Sequence, residues 1–216
     1  MYNNKILEDL EFYLKKSGEV KSSHWEKNLK DAEYRNIENN FGFGCWEKTK
    51  SFLKIPYFIL QRLTYGNSIF KSKEYNLFKS MCDIQKRNVD NDVIRHIFTF
   101  NFLDKQNLLN ERICVIGDGK ANFVGGLIQL KNNNIKIFSI NLTEVLIHDY
   151  LIIKNTGLLE DDKIVVVNKE EDLNLPNKKL YLIDASNVSF LKDKNINLFA
   201  NLIGMQEMKS DHLKNY

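Results

Sequence analysis

Apolar residues recur at helical spacing through the first half of the chain and gather into short β-branched runs in the second, the change falling near residue 105. Ile6, Leu10, Tyr13 and Leu14 share one face of a helix that Gly18 is placed to stop. Trp25, Leu29 and Ala32 mark a second helix, and Val93, Ile94, Ile97 and Phe98 a third. Between them FGFGCWEKTKSFLKIPYFILQRLTYG is aromatic and punctuated by glycine. Pro56 predicts a break in any helix through its middle, so this stretch reads as a loop followed by a short helix. From residue 112 strand, turn and helix alternate. RICVIG, IKIFSINL, KIVVVN, LYLIDAS and INLFANLIG are the strand candidates, NFVGGLIQLKNN and TEVLIHDYLIIKNTG the helices. Thr143 or Asn141 is placed to cap the second of these helices and Gly157 to stop it. Near-continuous apolar runs suit strands covered on both faces, and the alternation requires a parallel sheet with right-handed crossovers. The pattern thus predicts a helical region over 1–105 and an open α/β sheet over 106–216.

Composition narrows this picture. The chain has 216 residues, of which 43% are hydrophobic and 27% charged, enough to bury a core. Thirty-one Lys and Arg against 28 Asp and Glu leave a formal charge of +3, too balanced to predict a nucleic-acid partner. No run approaches the roughly 18 apolar residues of a membrane span. The N-terminus MYNNKILEDLEFYLKK carries acids where a signal peptide is apolar, which predicts a cytoplasmic protein. Cys45, Cys82 and Cys114 have no C-x-x-C spacing, so neither a disulfide framework nor a zinc knuckle is indicated.

Four segments carry candidate chemistry. In ICVIGDGKANFVGG a strand runs into Gly117-Asp118-Gly119 and then a helix. That arrangement sets backbone amides at the carboxyl edge of a parallel sheet, where open α/β folds bind ligands. The alternative is a tight turn without a ligand. As a dinucleotide fingerprint it is incomplete, because the third glycine falls on Asn122. About 20 residues on, where such folds place a ribose-binding acid, the second strand ends in Asn141, which either meets the ribose or caps the next helix. Asp184 and Ala185 follow a further strand, the carboxylate either accepting from an adenine amino group or closing an Asx turn. Gln206 and Glu207 follow the last apolar run, either holding a substrate hydroxyl and its proton or sitting in the first turn of a helix. His148, inside a helix, suits packing better than catalysis. No His-x-Glu, HExxH, G-x-S-x-G or GxxxxGK[ST] pattern occurs, so no metal site, hydrolase elbow or P-loop is predicted.

Taken together, ICVIGDGKANFVGG, SINLTEVLIHDYLII and LIDASNVSFLKDKNINLFANLIGMQEM resemble the bacterial sugar O-methyltransferases, a branch of the class I S-adenosylmethionine-dependent methyltransferases. Asn141-Leu142-Thr143-Glu144 is similar to the family's acid followed by a Leu-Pro-Glu helix start, and Gly204-Met205-Gln206-Glu207-Met208 to its Ser-Met-Gln-Glu-Met signature. The resemblance covers roughly residues 105 to 216. It implies a Rossmann-like S-adenosylmethionine-binding domain over 106–216, with a sugar or glycan hydroxyl as acceptor and no metal. Gly117, Asp118 and Gly119 would lie along the cofactor's methionine portion, Asn141 at the ribose, and Asp184 and Ala185 at the adenine. Gln206 and Glu207 would face the methyl group and the acceptor. The family's sheet closes with an antiparallel hairpin for which no residues remain before Tyr216. The resemblance therefore implies a sheet incomplete at its C-terminus, weak cofactor binding by the isolated chain, and a second copy or a partner over the open edge. Two other readings stand beside it: a nicotinamide-dependent oxidoreductase or sugar-nucleotide enzyme, and a catalytically inactive interaction subunit on a degraded methyltransferase fold.

Overall fold

The computed structural model describes residues 4–17, 21–30, 33–36, 51–130 and 135–201. Its second half forms one sheet of five strands, parallel throughout: β1 (Arg112–Ile116), β2 (Lys136–Asn141), β3 (Ile164–Val166), β4 (Leu180–Asp184) and β5 (Leu198–Asn201). Each strand lies within one of the five apolar runs. The order across the sheet is β3-β4-β2-β1-β5. From β1 the chain moves to one side to lay down β2, and it later returns to add β5 on the other. That reversal puts a topological switch point at the carboxyl ends of β1 and β5, where open α/β sheets bind ligands. The fold is α/β and Rossmann-like.

Seven helices are described: α1 (Asn4–Ser17), α2 (Ser23–Leu29), α3 (Ser51–Tyr65), α4 (Lys73–Ile84), α5 (Asn91–Lys105), α6 (Asn122–Gln129) and α7 (Thr143–Asn155). Four expectations need correction or addition. Pro56 does not break α3; it removes one backbone donor, its ring is exposed, and the remaining bonds carry the helix on to Tyr65. Helix α4 is an addition to the predicted elements; its buried apolar stripe of Phe78, Met81 and Cys82 is short, little more than one turn. The Ser72 hydroxyl caps it, accepting from Tyr75 N at 3.1 Å. Phe98 is exposed rather than buried, and Phe100 and Leu103 fill the core side of α5 instead. Neither Asn141 nor Thr143 caps α7: the N-cap is Leu142, without a side-chain bond. Gly157 does end α7, at φ +65°, with Leu158 N donating to Ile153 O at 3.2 Å. Gly18, Ala32 and residues 41–50 lie outside the described residues.

The two faces of the sheet are covered differently. On one, Ile113, Val115, Ile137, Leu180 and Leu182 pack with α1, α4, α5, α6 and α7 in a single buried cluster that includes Leu10, Phe78 and Tyr150. On the other, Cys114, Phe138, Ile140 and Tyr181 lie, among the described residues, beneath 3₁₀ segments over 170–174 and 185–191. Phe138 and Tyr181 stack there with ring centroids 4.8 Å apart. The Gly125-Gly126 pair lets α6 approach the helical region closely. A Cβ on Gly126 would come within 2.8 Å of the Phe78 ring. No helix among the described residues is long and apolar enough to cross a membrane.

Candidate functional site

Strand β1 ends at Ile116, and the next residues turn sharply. Gly117, Gly119, Lys120 and Ala121 all have positive φ, of +69°, +57°, +59° and +49°. The left-handed region suits glycine, but at Lys120 and Ala121 it costs about 1–2 kcal/mol each. The surroundings hold that strain in place. Asp149 of α7 accepts from Ala121 N at 2.6 Å, and Gln85 Nε2 donates to Lys120 O at 3.1 Å. Arg87 bridges from Gln85 Oε1, which accepts from its Nε at 2.9 Å, to the Asn122 side chain, whose Nδ2 donates to Gly119 O at 3.3 Å. Burial, with Asp118 adding to it, pushes the Asp149 carboxyl well above the ordinary carboxylate range. A Cβ built on Gly119 meets nothing within 4 Å, so the outer side of the turn is open.

Asp118 faces the other way. Its Oδ1 accepts from Phe123 N and its Oδ2 from Val124 N, both at 2.8 Å, closing the first amides of α6. His96 Nδ1 lies 3.4 Å from Oδ1. The helix N-terminus that would cradle a diphosphate in a dinucleotide enzyme thus already holds a buried carboxylate. The backbone of 117–119, and not the Asp118 side chain, remains for a ligand.

The ends of β2 and β4 lie beside this turn. Gly117 N donates to Ile140 O at 3.0 Å, and Asn141 is in register with Asp184. Gly117, Asn141 and Asp184 therefore stand side by side at the carboxyl rim. Asp184 closes an Asx turn: Oδ1 accepts from Ser186 N at 3.0 Å and from Ser186 Oγ at 2.6 Å, while Oδ2 accepts from Thr143 Oγ1. Ala185, half-buried behind it, packs with both Val145 and the cluster under the 3₁₀ cover. Asn141 Oδ1 accepts from Leu142 N at 3.0 Å, but its buried Nδ2 has no hydrogen-bond partner among the described residues. Glu144, in the first turn of α7, is similar: Lys21 reaches Oε1, whereas the buried Oε2 has no partner among the described residues. Gln206 and Glu207 lie outside the described residues.

The turn's polar support was missed in the sequence: Gln85, Arg87 and His96 from the helical region, Asp149 from α7, and Glu144 with Lys21 at the rim. One signal was available, the His148-Asp149 pair in the otherwise apolar run VLIHDYLII. A helix buried on all sides leaves polar residues only where something binds them. His148 is wholly buried and donates from Nδ1 to Tyr34 O at 3.1 Å. Among the described residues no group of three or more His, Cys, Asp or Glu is placed to hold a metal ion. No protein-family model, curated protein or solved structure matches the chain.

Proposed function

We propose that the chain binds S-adenosylmethionine at the carboxyl rim of its sheet and directs methyl transfer to a sugar or glycan hydroxyl. One observation carries this reading: among the described residues a buried donor without an acceptor, Asn141 Nδ2, and a buried acceptor without a donor, Glu144 Oε2, stand at the end of β2 and the start of α7. Each such group costs about 1–3 kcal/mol while unsatisfied. Ribose hydroxyls, each both donor and acceptor, answer both at the place where α/β folds hold a ribose. The open outer side of Gly119 leaves the backbone approachable for the rest of the ligand. The buried Asp118 carboxylate at the α6 N-terminus repels a diphosphate and tolerates a sulfonium, which favours this ligand over a nicotinamide dinucleotide.

When bound, the cofactor would supply an activated methyl group whose carbon the acceptor oxygen attacks in line, the thioether sulfur leaving with the bonding pair. The chain's part is then to align and to exclude. Asp149 and Gln85 fix the turn, Asn141 and Glu144 hold the ribose, and Asp184 sets the path of the chain below the adenine edge. Gln206 and Glu207 complete the proposal by orienting the acceptor hydroxyl and taking its proton.

The experiment is a thermal-shift titration with S-adenosylhomocysteine and, in parallel, with reduced nicotinamide dinucleotide. A ligand present at ten times its Kd adds about 1.4 kcal/mol, which is about 3–5 °C for a chain of this size. The first compound is expected to raise Tm and the second not; the reverse pattern overturns the proposal.

A further inference from the structure

The opposite, amino edge of the sheet carries a second feature that owes nothing to the rim. An open cavity of about 1040 Å³ lies there, with Lys136, Lys163, Lys178 and Lys179 among its lining residues and no acidic residue among those described. Its size is at the top of the range of small-molecule sites, about 300–1,000 Å³. Three of the lysines form a row. Lys179 N donates to Lys163 O and Ile137 N to Lys179 O, both at 2.8 Å, and Ile164 and Ile137 both pair with Leu180. The three therefore stand level across β3, β4 and β2, on strands about 4.8 Å apart, an arrangement of like charges that opposes pairing. Lys178 is fixed at the same edge, its Nζ donating to the carbonyls of Asp162 at 2.9 Å and Ile164 at 3.1 Å. Among the described residues only Lys163 of the four pairs with a carboxylate, that of the mostly exposed Asp162 at 3.1 Å, while Lys136 Nζ lies over the Tyr181 ring, 5.9 Å from its centroid. Burial lowers the pKa of Lys179, as expected of an ammonium short of counter-charge. The other wall is apolar, made by Leu130, Ile135, Leu158 and Leu159.

We propose that this cavity binds an organic phosphate, its phosphoryl group on the Lys163 and Lys179 end of the row and its apolar body against the leucine-rich wall. A dianion answers several adjacent ammonium groups where a monocarboxylate leaves them unbalanced, and lysine binds phosphate as a point charge without demanding a planar partner.

Calorimetry on the full chain tests this with two probes, dodecyl phosphate below its micellar concentration and inorganic pyrophosphate. Dodecyl phosphate is expected to bind the more tightly. The double variant Lys163→Gln/Lys179→Gln is expected to lose about tenfold or more for both probes, as removal of two charge-assisted contacts predicts. A charge-matched pair at exposed positions of α2 and α5, Lys27→Gln/Lys105→Gln, is expected to leave both affinities unchanged. Lys179→Gln alone, with a smaller loss, serves should the double variant fail to fold. Equal affinity for the two probes overturns the apolar half of the proposal and assigns the site to free phosphates. No saturable binding, or equal losses in the charge-matched pair, overturns all of it.

Discussion

His148 converts burial into a pH dependence that can be measured. Removal from water is the main force lowering its pKa, from 6.5 to about 4; Lys120 and Arg87 push the same way and the Tyr34 carbonyl opposes them. Because the folded value lies below the unfolded one, the fold favours the neutral imidazole. As pH falls, the unfolded chain takes up the proton first. The stabilisation is therefore whole above the unfolded pKa of 6.5 and is lost as pH drops from there to about 4. Linkage puts the loss at about 2 kcal/mol at about pH 5, saturating at about 3 kcal/mol below the folded pKa. Against a total stability of about 5–15 kcal/mol this is a large fraction. Asp149, whose carboxyl is raised by burial, works in the opposite sense, so the effect must be read as a difference between two proteins. The perturbation is His148→Gln, which keeps an N–H donor for Tyr34 but cannot ionise. Urea unfolding at about pH 7.5 and about pH 5 should show the parent chain losing about 2 kcal/mol more than the variant. Equal losses would refute the reasoning, since a histidine that titrates alike in both states contributes no slope.

Two further predictions rest on packing. Gly126→Ala is expected to cost about 1–3 kcal/mol by denaturant unfolding, because its Cβ meets the Phe78 ring, itself held edge-on by Phe100 with centroids 5.5 Å apart. Gly125→Ala is expected to cost clearly less: the obstacle is the mobile end of Met81, and alanine regains about 0.5–1 kcal/mol of helix propensity. In a Cys45→Ser background, neither remaining thiol is expected to react with a disulfide reagent at mildly alkaline pH until the chain unfolds. Burial pushes Cys82 up to about 11 and raises Cys114 as well, so rapid native-state labelling would contradict the described core.

The sheet was legible because buried parallel strands leave an unambiguous trace. Each of the five strands is a dense apolar run, and Gly117 and Gly157 mark ends that need a positive φ. Helix α4 and the continuity of α3 were not legible, since the apolar stripe of one is little more than a turn long and Pro56 stands within the other, and neither feature is decisive against tertiary packing. At the rim, the positions of Gly117, Asn141 and Asp184 followed from strand ends alone. Their hydrogen bonds did not. That Asp184 turns to Ser186 and Thr143, that Asp118 closes α6, and that Glu144 keeps a free oxygen beside Asn141 depend on residues brought together from distant parts of the chain. The sequence distance from Gln85 and Arg87 to Lys120 and Asn122 hid the strap on the glycine turn for the same reason.

The most direct test of an adenosyl ligand at the carboxyl rim is amide chemical-shift mapping of the labelled chain during titration with S-adenosylhomocysteine. Shifts concentrated at Gly117, Gly119 and Asn141 to Glu144, with Lys163 and Lys179 unmoved, are the predicted result. A spectrum that does not change, or one that changes only at the lysine-lined edge, would contradict it.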